Sequence, residues 1–367
     1  MRIAVISHTY VVGSNRGKLE ELTKSDGLQL LLVVPKRWTN RDVGHGLRAD
    51  MQQGSLCQVV IAGVWPVGFG SLALYSPVAL FRFLRAFRPN VVYVEEEPWS
   101  LAALELSCFS SILGARLIFF TWDNLGPPLS LPQQLVRRLV LRLADGAVAG
   151  NQEARLLLLE SRFDKPISVI PQLGIDPSLF FATQSATLVR EFVVGYVGRL
   201  VDQKGVMHYL EAVARVQGAR ALVVGRGPLE PQLIRRARSL GLDGRYELCS
   251  GVAHNEVPTY LRRMDVLVLP SVTTARWKEQ FGHVLIEAMA CGVPVVGSDS
   301  GAIPEVIGDA GMVFKEGDID ELTAILQRLK EHPSLRATLR TRGLARVEQE
   351  FTNQVLARKL HEFLLGV

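Results

Sequence analysis

"FVVGYVGRLVDQKG", Phe192 to Gly205, reads as an apolar strand that runs into a glycine turn and then into the start of a helix. Both faces of that strand are apolar, the mark of a parallel sheet covered by helices on its two sides. The pattern repeats downstream in "ALVVG" (Ala221 to Gly225), "VLVLP" (Val266 to Pro270), "PVVGS" (Pro294 to Ser298) and "GMVF" (Gly311 to Phe314). An earlier series lies upstream: "IAVIS" (Ile3 to Ser7), "LLLVV" (Leu30 to Val34), "VVIAGV" (Val59 to Val64), "VVYVE" (Val91 to Glu95), "LIFFT" (Leu117 to Thr121) and "ISVIP" (Ile167 to Pro171). Helical patterns fall between most of these runs. The segment "PQLGIDPSLFFATQSAT", Pro171 to Thr187, separates the two series; it is polar, has no helical period and reads as a linker. The expected fold is α/β, with two doubly wound, Rossmann-like domains facing a central cleft and ligands at the carboxyl ends of the strands.

The 367 residues agree with two domains. Hydrophobic residues make up 48% and charged residues 21%, which supplies a sizeable core and excludes a mainly disordered chain. The four cysteines (Cys57, Cys108, Cys249, Cys291) form no CxxC pair, so neither a disulfide framework nor a structural zinc site is expected. None of the seven histidines has metal-ligand spacing, and no metal is expected. A net charge of +5 suits phosphate-bearing ligands or an anionic membrane surface but is too weak to argue for nucleic acid. "MRIAVISHTY" stops at polar residues without a cleavage site, so no signal peptide is expected. The uncharged stretch Cys57 to Phe81 is long enough to span a bilayer, but Gly63, Pro66, Gly68, Gly70, Ser76 and Pro77 punctuate it. It reads as a strand, a glycine-rich loop and a helix capped by Ser76 with Pro77 in its first turn. A soluble, cytoplasmic protein is expected, with association at the inner face of the plasma membrane as an open alternative.

Three segments carry chemistry. "GRLVDQKG", Gly198 to Gly205, places Arg199 and Lys204 on one strand-to-helix loop, where two cations and helix amides suit a diphosphate. Two solvated surface cations at an ordinary turn are the alternative. In "EQFGHVLIEAMACGVPVVGSDSGAIPEVI", Glu279 to Ile307, Glu279 precedes a helix and Glu287 falls within it among apolar residues. A carboxylate buried there is costly unless something bonds to it. The two could grip separate hydroxyls of one extended ligand, or act as a helix N-terminal charge and a salt-bridged core residue. "SDSGAIPE", Ser298 to Glu305, puts Gly301 just before another helix, a further anion-binding turn.

These elements, with "VVGRGPLE" (Val223 to Glu230), resemble in type and order the nucleotide-sugar domain of the retaining glycosyltransferases of family GT4, which have the GT-B fold. The resemblance covers roughly Val193 to Phe314 and extends upstream through "VIPQLGIDPSLF". It implies that residues 1–175 form an acceptor-binding domain and 176–350 a nucleotide-sugar-binding domain, with a last helix, 351–367, crossing back to the first. It further implies that Arg199 and Lys204 neutralise the donor pyrophosphate, with Gly198 on the same turn. Glu287 would bind ribose hydroxyls, Glu279 donor-sugar hydroxyls, and Gly301 and Ala302 would offer backbone amides. The implied co-substrate is a nucleotide diphosphate sugar, UDP- or GDP-linked, without a further cofactor, and the implied acceptor is a glycan or lipid-linked glycan.

The N-terminal half departs from the family pattern. Where members carry a glycine pair after the first strand, "SHTYVVGSNRGK" has Gly13 alone, with Arg16 and Lys18 adding charge for phosphate contact. Where many members have a histidine in "TxHD", "TWDN" (Thr121 to Asn124) has Asp123. "EEEPWS", Glu95 to Ser100, follows the preceding strand and is either a second acidic site for an acceptor hydroxyl or a solvated turn. His8 reads as a polar turn residue, and His283 as a structural partner of Glu287 four residues on. Arg82, Arg85 and Arg88, and Arg137, Arg138 and Arg142, form basic helix faces; solvation is the ordinary reading and anionic lipid head groups the alternative. The rivals to a retaining transferase are a catalytically inactive sugar-nucleotide-binding protein and a GT-B epimerase. A dehydrogenase is disfavoured, since no GxGxxG opens a helix after either first strand.

Overall fold

The computed structural model describes residues 1–39, 46–49, 58–65, 72–126, 128–183 and 191–367. His45, Cys57, Pro66, Gly68, Gly70, Pro127 and residues 184–187 of the expected linker lie outside the described residues. The chain divides into two compact units, Met1–Gly174 with Asn353–Val367, and Ile175–Thr352.

The first unit contains β1 (Arg2–Ser7), β2 (Gln29–Pro35), β3 (Arg37–Thr39), β4 (Gly46–Arg48), β5 (Gln58–Ala62), β6 (Val64–Trp65), β7 (Leu74–Tyr75), β8 (Val91–Glu95), β9 (Arg116–Thr121), β10 (Gly146–Ala149) and β11 (Ile167–Val169). Its main sheet has the order β11-β10-β9-β8-β1-β2-β5, and all pairings in it are parallel. Alternate residues of one strand enter different cores: Ala4 and Ile6 pack on one face, Ile3 and Val5 on the other. This is why the strands read as continuous apolar runs. The C-terminal helix, Asn353–Gly366, buries Leu356, Ala357, Leu360 and Leu364 in the Ile3–Val5 face. Each of those leucines contributes roughly 2 kcal/mol by leaving water.

The second unit contains β12 (Phe192–Val197), β13 (Ala219–Val224), β14 (Tyr246–Cys249), β15 (Val266–Leu269), β16 (Val295–Ser298) and β17 (Gly311–Phe314). Its order is β14-β13-β12-β15-β16-β17, again all parallel. Numbered within the unit this is 3-2-1-4-5-6, the Rossmann order, and the first unit follows the same scheme with one more strand. The strand order reverses between β12 and β15 in the second unit and between β1 and β8 in the first. Ligands of doubly wound sheets bind beyond the carboxyl ends of the strands flanking that reversal.

Two strands of the main sheets are not visible as apolar runs. β10, "GAVA", is made of small residues and is buried throughout because β9 and β11 pair on both its edges. β14, "YELC", is an edge strand, only partly buried. The expected strand Val59–Val64 breaks at Gly63: β5 joins the main sheet, while β6 pairs antiparallel with β7. Ser76 and Pro77 do open the helix Pro77–Phe87. Among the described residues, no helix is long and apolar enough to cross a membrane.

Candidate functional site

In the second unit, three loops converge at the β12/β15 reversal. After β12 the chain passes buried Leu200 into a turn, Asp202–Lys204, and reaches Gly205, the cap of the helix Val206–Arg215. Gly205 has φ 64°, and a Cβ there would lie 1.8 Å from the Pro270 carbonyl oxygen at the end of β15. Only glycine lets the two loops approach this closely. Lys204 Nζ then meets Glu279 Oε2 at 2.6 Å, with the two side chains 16% and 8% exposed. Ser271 Oγ donates to the same oxygen at 2.7 Å, and the ammonium lies 5.0 Å from the centre of the Trp277 ring. The third loop follows β16. Gly301, at φ 55°, lies so close that a Cβ would sit 2.0 Å from the Glu279 carbonyl oxygen, and Ala302 N–H donates to that oxygen at 3.0 Å. Arg199 is half-buried on the first loop, its carbonyl held by the Tyr196 hydroxyl at 2.7 Å.

Glu287 is buried one helix further in. Its Oε1 is bonded by His283 Nδ1 at 3.0 Å and His254 Nε2 at 2.8 Å. Burial alone would raise this carboxyl; the hydrogen bonds from His254 and His283 outweigh it and hold it down at about 2. The same bond to Glu287 raises His254 above the usual imidazole range, against burial.

The first unit carries its own cluster at the β1/β8 reversal, where Ser7 and Glu95 pair in register. Glu95 accepts from Tyr10 Oη (2.9 Å), Gln172 Nε2 (2.9 Å) and Lys18 Nζ (3.3 Å). Glu96 Oε1 meets His8 Nδ1 at 2.8 Å and the Tyr75 hydroxyl at 3.4 Å, and the His8 ring stacks on Trp38. Burial lowers the His8 imidazole, but Glu96, with Glu95 and Glu97, raises it further, for a net increase. Glu97 accepts from Thr121 Oγ1 (2.6 Å) and Trp122 N–H (2.9 Å). Burial lifts the Glu97 carboxyl to about 7, with Asp123 and Glu96 adding to the rise and those two hydrogen bonds opposing it. A carboxyl near neutrality can exchange protons at working pH.

Residues 181–346 match the family model described as glycosyl transferases group 1. This segment resembles a group 1 glycosyltransferase domain. The amylovoran biosynthesis glycosyltransferase AmsK of Erwinia amylovora is 32% identical over 202 residues, 53% of this chain and 50% of that one. The chain spans about half the length of the first curated relatives it matches. The sucrose-phosphate synthase of Thermosynechococcus elongatus superposes with a TM-score of 0.78 at 19% identity, over 100% of this chain and 98% of that one. HepE of Anabaena, solved in complex with UDP-glucose, superposes at 0.74 with 21% identity over the whole of both chains. These likenesses show the fold, GT-B.

Within the matched segment, Gly198, Arg199, Lys204, Glu279, Glu287, Gly301 and Ala302 all lie on the strand-end loops or the helix that follows them. Some expectations need correction. The Ala302 amide is committed to Glu279, so it is not a spare anion donor. His254, which no spacing singled out, is a direct partner of Glu287 from 33 residues away. In the first unit, Gly13 opens a short turn, Gly13–Arg16, but the cations beside it face inward. Arg16 is buried with Nε on the Tyr10 carbonyl (3.0 Å), and Lys18 is buried on Glu95; neither presents charge to a phosphate. The solvated-turn reading of "EEEPWS" fails, because Glu95 and Glu96 are only 2% and 7% exposed. Asp123 Oδ1 accepts from the Leu125 and Gly126 amides, both at 3.2 Å, which makes it a turn cap.

An asparagine retains that accepting oxygen. Asp123→Asn is therefore expected to melt with the wild type, and a loss of transfer to an acceptor at unchanged stability would assign the ionised carboxylate a role beyond the cap. Melting temperature, donor affinity and transfer rate on one preparation check this. Wild-type transfer would leave Asp123 as a turn cap alone and make Glu97 the next residue to replace.

Proposed function

We propose that this protein is a retaining glycosyltransferase that moves a sugar from a nucleotide diphosphate sugar to an acceptor hydroxyl in polysaccharide or glycoconjugate assembly. The observation that carries the reading is the Lys204–Glu279 pair, set at the strand reversal of the matched segment and framed by the turn at Gly301. The UDP-glucose held by a protein of the same fold supports a nucleotide-sugar donor. Amylovoran biosynthesis by a relative that matches 202 residues of this chain supports the glycan context.

In this reading the bond from the sugar's anomeric carbon to the diphosphate oxygen breaks, and negative charge develops on the departing diphosphate. Arg199, Lys204 and the amides of the adjoining loops stabilise that charge without a metal. The acceptor oxygen bonds to the same carbon on the same face, and its proton passes to the leaving phosphate oxygen. Configuration is retained, and Glu279 serves as a binding group for the sugar rather than as a nucleophile. Glu287 holds the ribose.

Incubation with a panel of UDP- and GDP-sugars, with calorimetry for binding and product detection for transfer, tests the proposal. Binding with neither transfer nor slow donor hydrolysis would favour an inactive nucleotide-sugar binder; no binding at all would reject the site. The two glutamates should separate. Glu287→Ala is expected to weaken bare nucleoside diphosphate roughly 10–100-fold, the worth of a charge-assisted hydrogen bond. Glu279→Ala, which also releases Lys204, is expected to weaken the bare nucleotide much less than Glu287→Ala does and to lose discrimination among donor sugars. Equal losses toward bare nucleotide would reject the assignment.

A further inference from the structure

The helix Leu131–Leu143 buries Val136 and Val140 in the core of the first unit. The face turned away from that core would ordinarily be polar. The helix Ile319–Glu331 follows the rule: it buries Leu322, Leu326 and Leu329 and exposes Asp320, Glu321, Gln327, Arg328 and Glu331. Leu131–Leu143 breaks it. Leu131, Leu135, Leu139 and Leu143 are 81%, 58%, 40% and 39% exposed. A four-residue spacing places them in one stripe. Arg138 and Arg142 are exposed on the same side, and the helix contains no aspartate or glutamate. Arg137, by contrast, is half-buried and donates to Ser161 Oγ at 2.7 Å. That bond ties the helix to the end of its neighbour, Gln152–Glu160, which exposes Leu156 and Leu159 in turn.

We propose that this face, Leu131, Leu135, Leu139 and Leu143 with Arg138 and Arg142, docks on the surface of an anionic lipid bilayer. Charge and apolar area together select the occupant. A two-fold contact between copies of the chain would lay the face on itself, bringing arginine against arginine with no carboxylate on the helix to pair them. A bilayer surface complements both features: leucines enter the acyl boundary while the guanidinium groups reach lipid phosphates. The inference does not depend on the transfer reaction, since it concerns a helix face remote in sequence from every donor-binding residue.

The test is co-sedimentation of the full chain with vesicles of phosphatidylcholine alone or of equal parts phosphatidylcholine and phosphatidylglycerol, at low and high salt. Wild type is expected to bind the anionic vesicles and to be released by salt. Leu135→Ser/Leu139→Ser should reduce partitioning by about tenfold or more. Arg138→Gln/Arg142→Gln should remove the preference for phosphatidylglycerol. All substituted side chains are exposed, so melting temperatures should match wild type; if the leucine variant fails to fold, the arginine variant carries the test. No binding by wild type, or equal binding by a folded variant, would overturn the proposal. So would a concentration-dependent dimer in sedimentation velocity that the leucine substitutions dissociate, which would assign the face to a second copy.

Discussion

Lys18→Met is expected to destabilise the first unit by about 3–5 kcal/mol, the usual consequence of stripping one partner from a buried ion pair. The Lys18 and Glu95 side chains are 1% and 0% exposed and meet at 3.3 Å. Burial pulls the ammonium's pKa down and Glu95 pulls it back, so the charge depends on its partner. Methionine fills much of the same volume, which removes most of the cavity contribution that alanine would add. Glu95 would then be left with the Tyr10 hydroxyl and the Gln172 amide, neutral donors that cannot offset a buried negative charge. Urea unfolding followed by tryptophan fluorescence measures the loss, and four of the five tryptophans belong to the first unit. The double variant Lys18→Met/Glu95→Gln should recover a large part of it, because no unpaired charge remains. A single variant within about 1 kcal/mol of wild type would show that the pair supports nothing.

In the proposed reaction, Lys204→Ala is expected to raise the transfer barrier by about 2–4 kcal/mol, the cost of losing one preorganised donor at developing charge. Its ammonium is already positioned by Glu279 and by the Trp277 ring, so little reorganisation precedes the reaction. Some stability should go with it, about 1–3 kcal/mol, since Glu279 loses a charge-assisted bond and keeps the one from Ser271. The comparison that matters is kcat/KM with a proven donor against melting temperature. Unchanged kcat/KM would remove Lys204 from the reaction, while proportionate losses in every property would make it a structural residue.

Most strands of both sheets could be read locally, because a strand covered on both faces must be apolar throughout and shows it in a handful of residues. "GAVA" escaped because its burial is provided by neighbours on either side, which no local window contains. Lys204, Glu279 and Glu287 were legible from type and spacing, but their partners were not. Ser271 and His254 reach the same carboxylates from other loops, and only the parallel pairing of distant strands brings those loops together. "EEE" presented three identical carboxylates in a row. The tertiary structure separates them, one held by Lys18, one by His8 and one by Thr121, because successive side chains at a strand end point into different surroundings. The helix at Leu131–Leu143 shows the converse limit. Its sequence is apolar on both sides, so periodicity could not say which side was core; burial of Val136 and Val140 decided it and left the leucines facing out. The sequence by itself therefore determined the fold class and singled out the charged groups of the second unit's candidate site, since both rest on local patterns. Which charges are exposed and which are consumed internally was decided only by contacts between segments far apart in the chain.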